Sequence, residues 1–135
     1  QIPQYRKQTK RRHNKIKGTD YFAEALGIKV LEAKDGYAKV SMKVEKLHTI
    51  ALGFTHGGAI FSLADYAFAQ ACNFGDNVAV AVQVSINFLK PSVEGDTLTA
   101  EATRTSDGKT MGLYNVTVCN QSKQIAVFSG LAFKK

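Results

Sequence analysis

Residues 53–68 read GFTHGGAIFSLADYAF. His56 is followed by Gly57 and Gly58, and Asp65 comes eight residues after Gly57 in an apolar run. Asp is a poor mid-helix residue, and burying a carboxylate without partners costs free energy or pushes its pKa up. The positions around it on a helical wheel are Gly58, Phe61, Phe68, Ala69 and Cys72, which argues against a broad polar stripe. A poorly solvated carboxylate is also a better base and nucleophile than one in bulk water. Two readings of Asp65 therefore stand: a catalytic group, or a residue that faces solvent or bonds backbone across an interface. The glycines carry the other half of the chemistry. A helix N-terminus presents unpaired N–H groups and the positive end of a dipole, suited to an oxygen that gains negative charge. Gly57 and Gly58 have no side chain to block an approaching carbonyl, although glycines there also permit a tight loop before the helix. His56 before the helix is either a capping and packing residue or one with a chemical role.

The elements that must hold these residues follow from periodicity. Thr19 or Asp20 caps a short helix through Leu26, which Gly27 stops. Residues 28–33 form a strand, Lys34-Asp35-Gly36 turns, and residues 37–44 alternate as a second strand. From Gly57 to about Phe74 the pattern is helical and apolar on nearly every side, which predicts a buried helix. Residues 78–89 form a strand with Val78, Val80, Val82, Val84, Ile86 and Phe88 on one face. Strands at 96–104, 111–119 and 124–133 are joined by short turns, so they are antiparallel neighbours. One long apolar helix and a strongly twisted antiparallel sheet satisfy each other when the sheet wraps the helix. The class expected is α+β.

Composition narrows the function. The 135 residues, 44% hydrophobic, suit one domain with a real core. No apolar run is long enough to span a bilayer, and no signal-peptide pattern is expected. Cys72 and Cys119 have no CxxC partner, and His13, His48 and His56 form no metal pattern, so no metal site is expected. Two unpaired cysteines point to a reducing compartment, the cytoplasm. The net charge of +7 is uneven: residues 1–18 carry Arg6, Lys7, Lys10, Arg11, Arg12, Lys15 and Lys17 with no acid. We expect a basic arm over 1–18 and a single folded domain over 19–135. The arm is either a solvated tail or a grip on nucleic acid phosphates, and the first reading is preferred.

The signature G-x-x-HGG-x-x-F-x-LAD-x-AF over Gly53–Phe68 resembles that of the phenylacetate-degradation (PaaI-type) acyl-CoA thioesterases of the 4-hydroxybenzoyl-CoA thioesterase superfamily. LGI at 26–28, NFLKP at 87–91, GD at 95–96 and VFSG at 127–130 agree with it, so the resemblance covers roughly residues 20–133. It implies the hot-dog fold, a sheet wrapped around one central helix. It implies that Asp65 is the catalytic carboxylate, as general base on water or as nucleophile. The Gly57 N–H would be the oxyanion donor, and His56 would border the thioester. Along a helix, Gly57 and Asp65 of one chain lie about 12 Å apart, too far to touch one carbon. In the family a homodimer resolves this, with one group from each subunit. The strand at 78–89 pairs with its copy, and many relatives pair dimers into homotetramers. The expected partner is an acyl-CoA substrate, with CoA as part of the substrate and no other cofactor.

Two positions depart from the family pattern. Ile50 stands where an asparagine is common, and Ala81 stands near a usual Ser or Thr; Thr49 and Ser85 are the possible substitutes. Ile50 could enlarge an apolar acyl pocket with Phe61 and Phe54. Lys90 is the expected phosphate contact at the rim, with Arg104 and Lys109 weaker candidates, and Gly58 is expected beside the substrate. The competing class is a non-catalytic acyl-CoA-binding hot-dog protein or regulator whose basic arm contacts nucleic acid. No P-loop, GxSxG or zinc motif competes.

Overall fold

Alternation at period two sets the sheet. In β1 (Lys29–Lys34) and β2 (Tyr37–Lys43), joined by Asp35-Gly36, the even-numbered residues Ala38, Val40 and Met42 of β2 are fully covered. The computed structural model describes residues 18–135, so the expected arm lies almost wholly outside the described residues. Leu98, Ala100 and Ala102 of β4 (Thr97–Asp107) are buried in the same way. So are Tyr114, Val116 and Val118 of β5 (Met111–Cys119), and Ala126, Phe128 and Ala132 of β6 (Gln124–Lys134). With β3 (Ala79–Phe88) they form one antiparallel sheet in the order β1-β2-β4-β5-β6-β3.

The concave face holds the long helix α2 (Gly57–Cys72), which lies against β2, β4 and β5 in particular. Ile60, Leu63, Ala64, Ala67 and Ala71 fall at helical spacing and form the seam against the strands. Alanines there let strand backbones approach closely. Phe68 fills the gap left by Gly130, where a Cβ would stand 2.9 Å from the ring. A short helix α1 (Tyr21–Leu26) precedes the sheet; Asp20 caps it by accepting the Ala23 N–H at 2.9 Å, and Gly27 closes it at φ +77°. This is the hot-dog architecture that the resemblance implied.

Two expectations are corrected. The six residues expected on one face of the strand at 78–89, Val78 to Phe88 at alternate positions, do not share a face. Ala81 pairs with Ala132 and Gln83 with Leu131, so Val82 is an extra residue in the ladder. This bulge reverses the alternation: Val84 and Ile86 pack on the core, while Val78, Val80 and Val82 are exposed. Nor is α2 buried all round. Phe61, Ser62, Asp65, Tyr66 and Ala69 form a half-buried stripe along it. The composition of that stripe is largely apolar, which is why periodicity alone does not reveal it.

Candidate active site

The loop before α2 is fixed by two buried polar groups. His48 Nδ1 accepts the Glu45 N–H at 2.8 Å. Its Nε2 therefore carries the proton and donates to the Leu26 carbonyl at 2.9 Å. The His48 carbonyl in turn accepts the His56 N–H at 2.7 Å. Thr55 donates its N–H and its Oγ1 hydroxyl to the Ser92 carbonyl and Oγ, both at 2.8 Å. Ser92 donates onward to Asp96 at 3.1 Å. Asp96 also accepts from Gln121, the Val93 N–H and Asn120, and these bonds hold its carboxyl below the usual range against the opposing effect of burial.

This scaffold aims the N-terminus of α2. His56 is the N-cap: its Nδ1 accepts the Gly58 N–H at 2.8 Å. The Ala59 and Ile60 N–H groups reach the His56 carbonyl. Of the first four N–H groups of α2, only that of Gly57 lacks an acceptor among the described residues, as expected for the first residue of a helix. Since His56 Nδ1 accepts, its exposed Nε2 is a donor in the neutral ring. Gly57 lines a cavity of about 430 Å³ with Thr55, Ile60, Phe88, Leu89, Lys90, Pro91 and Ser92. The Phe88 ring covers Gly57, whose missing Cβ would stand 3.2 Å from the ring edge.

Asp65 opens elsewhere. It lines a smaller cavity of about 170 Å³ with Phe61, Ser62, Tyr66 and Ala69 of α2 and with Asp20, Phe22, Ala23 and Ile28. Its pKa is raised, first by burial and then by the negative charge of Asp20. Tyr66 is raised by the same two causes, against the opposing effect of a hydrogen bond with Gln70. The Phe61 ring packs against that of Phe128, tilted by 55° and 5.6 Å away between ring centres. Buried Gln70, one turn on from Tyr66, keeps its Oε1 without a hydrogen-bond partner.

Thus the candidate residues fall into two groups. Gly57 and Lys90 meet at one cavity; Asp65 and Phe61 meet at another. Gly58 is engaged with His56. Ile50 lines neither cavity: it sits in an exposed turn, its N–H donated to the Phe54 carbonyl at 2.8 Å. The two substitute hydroxyls do not reach these cavities either. Ser85 stands on the sheet face opposite α2, with Asn115, Thr117 and Ser129, and the Thr49 hydroxyl is tied to the Lys46 carbonyl. Sequence reasoning missed His48, Asp96, Phe88 and the approach of Asp20 to Asp65. Gly95-Asp96 before a strand was a signal for a turn, but the partners of the Asp96 side chain come from residues 92–93 and from 120–121, the latter distant in sequence. Among the described residues, no group of His, Cys, Asp and Glu could hold a metal ion.

The profile of the thioesterase superfamily matches residues 52–127, from just before His56 to Val127 near the start of β6. The chain belongs to the thioesterase superfamily. It is 44% identical to the acyl-coenzyme A thioesterase PaaI of Escherichia coli over 82% of this chain and 80% of that one. It is 31% identical to human acyl-coenzyme A thioesterase 13 over 75% of this chain and 74% of that one. The solved structure of the E. coli PaaI protein from the phenylacetic acid degradation operon matches with a TM-score of 0.84 at 42% identity, covering 87% and 86% of the two chains. A Streptococcus mutans protein bound to acetyl-CoA matches with a TM-score of 0.76 at 31% identity, covering 80% of this chain and 88% of that one. This thioesterase-superfamily chain is therefore of the PaaI type, and its fold is hot-dog.

Proposed function

We propose that the protein hydrolyses a small to medium acyl- or aryl-acyl-CoA to the free acid and CoA, in the cytoplasm and without a metal or organic cofactor. The observation that carries the mechanism is that Asp65 and Gly57 lie on one helix yet open into separate cavities. Eight residues of α-helix separate them by about 12 Å, so one chain cannot bring both to one carbonyl carbon. A second copy supplies the missing half. β3 is an edge strand with one unpaired side, available to continue the sheet across a homodimer. Dimers of this kind pair further into a homotetramer.

In the assembled site the thioester oxygen rests on the Gly57 N–H of one copy, with the His56 Nε2–H beside it. Asp65 of the other copy takes a proton from water, and the resulting hydroxide attacks the carbonyl carbon. The tetrahedral intermediate collapses, the C–S bond breaks and CoA leaves as the thiolate. Phe61 borders the acyl group and Lys90 meets the CoA phosphates at the rim. The catalytic unit is residues 19–135, preceded by the basic arm.

The deciding experiment is thiol release from a panel of acyl-CoAs, with Asp65→Asn beside the unmodified protein. Hydrolysis that falls about 100-fold or more in the variant supports the reading. Bound but unhydrolysed acyl-CoA across the panel would overturn it in favour of a binding protein.

A further inference from the structure

Asp65 is not alone in its cavity. A second acidic residue, Asp20, lines the same cavity of about 170 Å³. Asp20 is held in place because it caps α1, accepting the Ala23 N–H at 2.9 Å. Most of the remaining wall is apolar: Phe22, Ala23, Ile28, Phe61 and Ala69. Asp20 is exposed at the edge of that cavity, so its field reaches Asp65 through the cavity but is open to screening by salt.

The geometry points to Asp20 as a positioning residue for the hydrolysis: its anchored negative charge across the shared cavity sets the pH at which Asp65 ionises and becomes the base. This rests on the reading of Asp65 as the catalytic base. Like charges in one site keep a proton on one of them to higher pH, and a base is most effective when its proton affinity lies closer to the working pH. Burial by itself also raises Asp65, so the share due to Asp20 is what the variants below measure.

The other groups around Asp65 do not substitute for Asp20. On α2 these are Tyr66, whose own proton affinity is raised by burial and by Asp20, and the Ser62 hydroxyl, which donates to the Gly58 carbonyl. Further along α2, burial pushes the Cys72 thiol up to about 11, with a smaller effect from Asp65. Glu24 of α1 and Lys29 of β1 line the adjoining cavity with Asp20, Tyr66 and Gln70 rather than this one. The strands beneath α2 present Val40, Val116 and Phe128, which carry no charge. In the proposed dimer, His56 of the second copy also approaches, and it is common to every variant compared.

The test is the pH dependence of kcat/KM for the unmodified protein and for Asp20→Asn, Asp20→Ser and Asp20→Glu, using the acyl-CoA turned over fastest. The carboxyl carbon of Asp65 is titrated by NMR in parallel, its signal identified by its loss in Asp65→Asn. Asn and Ser keep a cap acceptor, so α1 is retained in both. The expected result is an acid limb, and an Asp65 titration, moved down by about half a pH unit to one unit in both. Asp20→Glu keeps the charge and stays near the unmodified protein. Added salt narrows the difference between Asp20→Asn and the unmodified protein. Turnover with unshifted midpoints in Asp20→Asn and Asp20→Ser overturns the role of Asp20 and leaves the hydrolase reading intact. Absence of turnover from every substrate overturns the hydrolase reading itself.

Discussion

His56 Nδ1 accepts the Gly58 N–H at 2.8 Å, and a Cβ on Gly58 would stand 2.9 Å from that same nitrogen. The cap and the glycine thus require each other, and the cap leaves Nε2–H as the free donor of the neutral ring. His56→Asn retains a cap acceptor and should unfold close to the unmodified protein. His56→Ala should lose about 1 kcal/mol. Both should lose at least about tenfold in kcat/KM, because neither carries the Nε2 donor. Thermal unfolding measured beside thiol release separates the cap from the chemistry; full activity in His56→Asn would remove the donor role.

Gly57 stands under the Phe88 ring, which is exposed enough to swing away. Gly57→Ala should therefore fold, and Ala is the better helix former. The added methyl group occupies the space a carbonyl needs to reach the Gly57 N–H. We expect an unchanged or raised melting temperature together with a loss of about 100-fold in kcat. Retained kcat would show that the oxyanion is held elsewhere.

Asp65 and Asp96 respond to pH with opposite signs. Burial and Asp20 raise Asp65 above its unfolded value, so its contribution to stability is greatest below that value and is lost as pH rises through the raised one. Gln121, the Val93 N–H, Asn120 and Ser92 lower Asp96, so its contribution is present above the unfolded value and is lost as pH falls through the lowered one. Near pH ~7, Asp65→Asn should be at least as stable as the unmodified protein, and Asp96→Asn should be less stable by about 1–3 kcal/mol. Both differences should shrink in acid. Urea unfolding across pH checks this, and a destabilised Asp65→Asn at neutral pH would contradict it.

Gln70 is buried with its Oε1 unpaired. Such an orphan costs about 1–3 kcal/mol, and its removal should outweigh the loss of the Gln70 hydrogen bond to Tyr66, whose half-buried hydroxyl can turn to water. Gln70→Met should raise the melting temperature of the isolated chain by a few degrees. A lower melting temperature would mean that the amide has a partner in the assembled protein, which a measurement of oligomeric state on the same samples would locate.

Much of the site's local chemistry was legible in order along the chain. The apolar run after His56-Gly57-Gly58 marks a helix start, and Gly57 is therefore its first N–H. A cap at Thr19 or Asp20 and Gly27 as a stop follow from residue type, and the structure selects Asp20. What periodicity could not show was the bulge at Val82, because an extra residue in a run of alternating valines leaves the sequence pattern unbroken while the ladder with β6 changes parity. Likewise the half-buried stripe of α2 contains Phe61, Tyr66 and Ala69, residue types that read as core.

The sequence by itself determined the class of fold, the helix that carries Asp65, and the glycines at its start. It did so because each is a matter of residue type and spacing over a few turns. Only the tertiary structure decided that Gly57 and Asp65 open into different cavities, and that Lys90 lies with the first and Phe61 with the second. Only the structure brought Asp20 across from Asp65, over 45 positions along the chain. Charge and burial act through space, and the distances they act over are set by how the sheet closes around the helix.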